Sequence, residues 1–306
     1  MKLQPERIAG LPVVRCRPKS RGTGPCVLLF HGMGLGAWFW ERDQRILGEA
    51  GLESLAVDLP GHGEDAGSPR TLEEIAQGAL GVARTLPNPV LVGHSMGGLI
   101  AQMIARDCTA SSLVLVCSAT PAGVNALPPP RSLVSSLRMV PGVLGGGTFH
   151  VPEDLYRAMG FNCVDEALLG DILPRMAPWS AQVTRALFLR RPRVETPDCP
   201  VLVTFGAKDA LLPPRASRLL GDLHHAVTWR FDDLGHMPPR ETRGVRHAEA
   251  VARWIGNPTR RRITEIDPMA PEEGVGQAAR AARHNPRASR SLSRFRRSMP
   301  RKPGRG

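Results

Sequence analysis

The stretch Val90-Leu91-Val92-Gly93-His94-Ser95-Met96-Gly97-Gly98 decides the reading of this chain. An apolar β-type run stops at a glycine, and a serine stands between two glycines before Leu99-Ile100-Ala101-Gln102-Met103-Ile104-Ala105-Arg106, a run that suits a helix. Strand, sharp turn and helix in that order form the sequence signature of a nucleophile elbow. The turn strains its central residue and leaves room two positions to either side only for very small side chains, hence Gly93 and Gly97. Ser95 Oγ is thereby predicted at the carboxyl end of a buried strand. In a chain with 32 glycines the G-x-S-x-G pattern alone is weak, and the strand-turn-helix context gives it weight.

Working outward, similar short apolar runs recur with helix-length spacers between them. They are Val27–Phe30, Leu55–Val57, Leu113–Val116, Val201–Phe205 and Val227–Phe231. Continuous Val/Leu runs suit parallel strands covered on both faces. The spacers Ala37–Ala50, Thr71–Leu86 and Gly97–Arg106 suit helices, so the fold class is α/β with a doubly wound, mostly parallel sheet. Arg7–Arg17 reads as antiparallel edge strands.

The interval between the Leu113 and Val201 runs is too long for a crossover. It holds Pro128-Pro129-Pro130, Gly145-Gly146-Gly147 and helix-like pieces bearing Leu133, Leu137, Met159, Leu168, Leu169, Ile172, Leu173, Met176 and Trp179. Residues 121–195 are accordingly expected to form an inserted helical cap, with residues 1–120 and 196–256 as the core. Residues 257–306 are a third region: twelve Arg and one Lys against four acids give it +9 of the chain's +12, leaving +3 on the body. Their Pro, Gly, Ser and Arg content predicts a disordered basic tail. It offers electrostatic contact with anionic surfaces, but Phe295 is its sole aromatic, so specific nucleic-acid recognition is not expected.

The six cysteines are scattered, with no C-x-x-C pair, which argues against a zinc site or a disulfide framework. No cofactor and no metal are expected. Neither a secretory leader nor an apolar run long enough to span a membrane is evident, so a cytoplasmic location is expected.

A serine becomes a nucleophile when a base takes its proton, and a histidine base works best with a carboxylate fixing its tautomer. Asp209 follows the Val201 run in Gly206-Ala207-Lys208-Asp209, and His236 closes Asp232-Asp233-Leu234-Gly235-His236 after the Val227 run. Asp198 precedes its strand, and Asp232 and Asp233 lie too close to His236 in the chain to orient it. The order Ser95, Asp209, His236 resembles that of the α/β-hydrolase fold superfamily, in the capped serine hydrolase branch with a G-H-S-M-G-G elbow. His31-Gly32-Met33-Gly34 resembles the oxyanion loop of that family, and Asp58-Leu59-Pro60-Gly61-His62-Gly63 resembles its D-x-P-G-x-G turn.

The resemblance covers residues 25–255. It implies Ser95, His236 and Asp209 as a catalytic triad and the backbone N–H groups of Met33 and Met96 as the oxyanion hole. His31 and Gly32 then serve the loop structurally, His62 supports its turn, and His94 packs beside the elbow. His224, His225 and His247 are expected on the surface. The expected activity is cleavage of a carboxylic ester or thioester of a small-to-medium, largely apolar small molecule through an acyl-enzyme. C–C bond hydrolysis and enol-lactone cleavage use the same triad, and a non-catalytic ligand receptor on this fold is the alternative of a different class. Arg175, Arg185, Arg190, Arg191 and Arg193 read first as a solvated cap surface, with contact to an anionic substrate as the alternative.

Overall fold

The structure is a computed structural model that describes residues 1–19, 24–66, 68, 70–125, 137–259, 266 and 268. A hairpin opens the chain, β1 (Leu3–Ile8) and β2 (Leu11–Cys16), starting four residues earlier than the sequence suggests. Ile8 pairs with Leu11 across Ala9 and Gly10, both at positive φ, the backbone of a two-residue turn whose twist matches the strands. Then follow β3 (Val27–Phe30), α1 (Glu41–Glu49), β4 (Ser54–Val57), α2 (Leu72–Ala83), β5 (Val90–His94), α3 (Met96–Ile104) and β6 (Ser112–Val116). Thr71 starts α2 with a reciprocal cap, its hydroxyl accepting from Glu74 N–H at 3.1 Å while the Glu74 carboxylate accepts from Thr71 N–H at 2.7 Å.

Between residues 137 and 188 run short pieces, α4 (Val140–Gly145), α5 (Glu153–Leu155), α6 (Glu166–Ile172) and α7 (Ala181–Phe188). A two-stranded ribbon of β7 (Thr148–Phe149) and β8 (Trp179–Ser180) ties them together. The chain then returns to the sheet through β9 (Val201–Gly206), α8 (Pro214–Leu223), β10 (Val227–Phe231) and α9 (Val245–Gly256). Pro128–Pro130 and Leu133 lie outside the described residues.

The sheet order is β1-β2-β4-β3-β5-β6-β9-β10, parallel from β4 to β10 and antiparallel at the hairpin. Alternation explains the continuous apolar runs. Leu28, Phe30, Leu91, Leu113, Leu115 and Val203 point to one face, where Leu72, Ile75, Leu99 and Leu220 cover them. Val27, Leu29, Val90, Val92, Val114 and Leu202 point to the other, against Leu47, Val251 and Trp254. With both faces covered by helices, a polar side chain on these strands is buried whichever way it points. The strands are therefore mostly apolar, and the few polar residues on them, such as Ser54, Ser112 and Thr204, are buried too.

Ile266 pairs beside β10, its N–H donating to Thr228 O at 3.2 Å and its carbonyl accepting from Arg230 N–H at 3.1 Å. The stretch read as a tail therefore touches the sheet at that residue. Apart from residues 257–259, 266 and 268, the region 257–306 lies outside the described residues.

Candidate active site

Ser95 is the single residue between β5 and α3, at φ 52° and ψ −119°. Such a backbone costs an L-residue of order 1–3 kcal/mol and is kept where the surroundings over-determine it. Here Ser95 N–H donates to Val116 O at 3.1 Å, and Ser95 O accepts from Gly98 N–H at 3.0 Å and Ala119 N–H at 2.9 Å. A Cβ on Gly93 would strike the backbone of Gly97 and Gly98, and one on Gly97 would strike the carbonyls of Phe30 and His31. The two glycines are required by close packing of backbone on backbone.

Asp209 lies three residues past β9, and His236 lies in the loop after β10. Ala207 N–H donates to Phe231 O at 2.9 Å and Lys208 N–H to Leu234 O at 3.0 Å, which brings the two loops together. His236 Nδ1 is 2.8 Å from Asp209 Oδ2, with both side chains almost fully buried. Asp209 Oδ1 accepts from Leu211 N–H at 2.9 Å and Leu212 N–H at 2.8 Å. Three donors thus fix the carboxylate, and His236 Nδ1–H pointing at it leaves Nε2 with its lone pair free. His94 Nε2 donates to His236 O at 2.8 Å.

The loop His31-Gly32-Met33-Gly34 lies against the elbow. A Cβ on Gly32 would stand 2.9 Å from His94 Nδ1 and 3.1 Å from Ser95 Cβ. His31 Nδ1 donates to Gly32 O at 2.8 Å and Nε2 accepts from Leu59 N–H at 3.1 Å, which ties this loop to the turn at Leu59. Met96 is the first residue of α3, where backbone N–H groups have no intrahelical partner. Neither its N–H nor that of Met33 donates to a partner among the described residues.

Cys117 Sγ lies with Asp209 and His236 in a buried group whose polar atoms are all within 4.8 Å of one another. This trio is a poor metal site as it stands. Both Asp209 oxygens and His236 Nδ1 are already hydrogen-bonded, and burial pushes the Cys117 thiol well up, keeping it protonated.

Two features escaped the sequence. Glu241 is buried and its carboxylate accepts from Gly235 N–H at 2.8 Å and Met237 N–H at 2.9 Å, the amides on either side of His236. Burial pushes its pKa up, against the pull of those two donors. A glutamate five residues past the histidine, Met237-Pro238-Pro239-Arg240-Glu241, was the available signal. His224 and His247, expected on the surface, are buried: His224 Nε2 is 3.0 Å from Gln102 Oε1, and His247 Nε2 is 3.0 Å from Thr204 Oγ1. A helix-capping position and a helix face turned inward hide them; His225 is exposed as expected.

Glu241→Gln leaves one carbonyl oxygen to serve two amides, so one buried N–H loses its partner, at about 1–3 kcal/mol. We expect kcat on an ester to fall about 10–100-fold with KM little changed, since a 1 Å misplacement of the imidazole costs about that much. Steady-state kinetics beside circular dichroism checks this; unchanged kcat would show that the clamp is dispensable.

Ser95 and His236 open onto a cavity of about 600 Å³, a size suited to a medium-sized ligand. Its wall is mostly apolar, with Met33 below and Met139, Leu155, Met159 and Trp179 from the 137–188 region above. Ala177 N–H donates to Gly34 O at 2.8 Å, pinning that region to the Met33 loop.

Residues 27–254 match the alpha/beta hydrolase family. The chain belongs to that family. The pimeloyl-[acyl-carrier protein] methyl ester esterase of Chromobacterium violaceum is 30% identical over 231 residues, covering 72% of this chain and 90% of the relative. The protein of the same description from Vibrio atlanticus is 30% identical over 238 residues, covering 71% and 89%. Among solved structures, a thermophilic esterase from Thermogutta terrifontis superposes with a TM-score of 0.60 at 25% identity, covering 83% of this chain and 98% of the other. Among the described residues no helix is long and apolar enough to cross a membrane.

Proposed function

We propose that this hydrolase is a carboxylesterase in which Ser95, His236 and Asp209 form the catalytic triad and the N–H groups of Met33 and Met96 form the oxyanion hole. The observation that carries the reading is the 2.8 Å contact of His236 Nδ1 with Asp209 Oδ2, in a cavity that also holds Ser95 at its strained turn. Esterase relatives covering most of the chain support the reaction class.

In the proposed sequence Ser95 Oγ attacks the ester carbonyl carbon while His236 Nε2 takes the hydroxyl proton. The carbonyl oxygen becomes an oxyanion between the Met33 and Met96 N–H groups, the latter at a helix amino terminus that favours negative charge. Collapse breaks the bond to the alkoxy group, which leaves as an alcohol with the proton from Nε2. A water molecule, deprotonated by the same nitrogen, then attacks the acyl carbon and releases the acid and Ser95. Asp209 keeps Nδ1–H in place and stabilises the imidazolium.

The apolar wall and the size of the cavity favour a small-to-medium acyl chain. The relatives' description points to a methyl ester as the first substrate to try. A panel of methyl and p-nitrophenyl esters of C2 to C16 acids tests this, together with fluorophosphonate labelling. We expect hydrolysis with a chain-length optimum and stoichiometric labelling at Ser95. Labelling without hydrolysis of any ester would move the reading to C–C or lactone cleavage. Absence of both would favour a ligand receptor.

A further inference from the structure

Two arginines interrupt the apolar wall of the cavity, Arg191 past the end of α7 and Arg215 in the first turn of α8. No Asp or Glu lies among the described residues that line it. Of the five arginines first read as solvated surface, Arg191 is the one the structure turns to this cavity. Arg175 instead stacks on Trp38, and Arg185 donates to Val143 O.

Arg191 is partly buried and held by neutral acceptors. Its Nη1 donates to Thr120 Oγ1 at 2.8 Å and Val124 O at 2.7 Å, and its Nη2 to Asn125 Oδ1 at 2.5 Å. Those three bonds fix the guanidinium and, among the described residues, leave Nε–H and one Nη2 hydrogen, two donors that a carboxylate can accept together. Thr120, which anchors the guanidinium, follows Ala119, whose N–H donates to Ser95 O at 2.9 Å, so the segment that holds the nucleophile turn also holds Arg191. Arg215 is exposed and makes no ion pair among the described residues. It also stands at the positive end of a helix whose cap residue, Pro213, supplies no side-chain acceptor. A cation there adds to the helix dipole rather than offsetting it.

The partly buried Arg191 charge, met only by neutral acceptors among the described residues, gains from an anion that completes its hydrogen bonds, while the exposed Arg215 adds positive potential at the rim. We infer that Arg191, with Arg215 at the rim, binds a carboxylate carried by the substrate at the end remote from its scissile ester. The scissile ester rests on the carboxylesterase reading; the anion site does not.

Monomethyl and dimethyl suberate share one methyl ester and differ at the other end, a carboxylate in the first and a neutral second methyl ester in the other. The diester's rate is therefore compared per cleavable ester. Wild type is expected to favour the monoanion in kcat/KM by about 10–100-fold, the range of a charge-assisted pair of hydrogen bonds. Arg191→Gln is expected to bring that ratio close to one, Arg191→Lys to restore part of it, and Arg215→Gln to lower it a few-fold. Calorimetric titration of the same two esters into the Ser95→Ala protein reads the site without turnover and should show the same preference and the same dependence on Arg191. If neither ester is cleaved but the monoanion binds in an Arg191-dependent way, the hydrolase reading falls and the anion site stands. Equal rates and equal binding of the two esters in wild type would overturn the anion site. So would an Arg191→Gln protein in which both rates fall in parallel, since Arg191 would then be only a latch for residues 120–125.

Discussion

Ser95→Ala is expected to lower kcat for ester hydrolysis by on the order of a million-fold, the loss seen when the nucleophile of a comparable triad is removed. The fold should be untouched. The backbone bonds that hold residue 95 at positive φ do not involve the hydroxyl, and alanine pays the same conformational penalty as serine there. A remnant above the water rate is expected from the cavity and the Met33 and Met96 amides, which bind and polarise the carbonyl without the nucleophile. The measurement is kcat on the best ester of the panel, with thermal unfolding of both proteins in parallel. A folded Ser95→Ala protein that keeps more than about one hundredth of wild-type kcat would remove the nucleophile assignment.

That prediction was available from the sequence because elbow, strand and helix are local features. Gly93 is forced by the backbone of Gly97 and Gly98 a few residues on, while Gly97 is forced by the distant carbonyls of Phe30 and His31 and is legible only through the local motif. The apolar runs of β3, β5, β6 and β9 report burial on both faces wherever they occur. The hairpin was half-visible: its strands alternate weakly, and Pro5 and Pro12 obscure the pattern. Glu241 and Arg191 were illegible for another reason. Arg191 takes its meaning from partners far away in the chain, Thr120, Val124 and Asn125 about 70 residues earlier. Glu241 takes its meaning from two nearby amides, Gly235 and Met237, that only the folded loop turns toward its carboxylate. A lone glutamate near a histidine, or one arginine among five, reads as surface until the tertiary fold brings its acceptors or donors to it. The same limit misplaced His224 and His247, since a histidine's burial depends on which face of its helix turns inward.

Those buried histidines set the acid limit of the fold. Burial lowers His31 to about 4, His62 to about 3, His224 to about 4 and His247 to about 3, from the ordinary 6.5, and pushes His94 well down as well. Because the folded-state values are depressed, the unfolded chain takes up protons first. Stability is fully present above pH 6.5 and is lost as pH falls towards 4. Each histidine costs up to about 1.4 kcal/mol per pH unit below 6.5, so together they remove several kcal/mol by pH 5. That is comparable to the whole stability of an ordinary domain, about 5–15 kcal/mol. Urea unfolding at pH 7.5, 6.5, 5.5 and 5.0 is expected to show a steep fall in midpoint below pH 6.5. A midpoint independent of pH over that range would mean that the folded protein protonates these rings in place. The bonds argue otherwise: His31 Nε2 must stay unprotonated to accept from Leu59 N–H, and a proton there would set two donors face to face in a dry core. Replacing His247 by Gln removes one such group, the one beside Thr204 Oγ1, and should flatten the slope by about one proton. Activity lost on acidification would then divide by its recovery: unfolding at these scaffold histidines reduces the folded fraction seen by circular dichroism, whereas titration at the site does not.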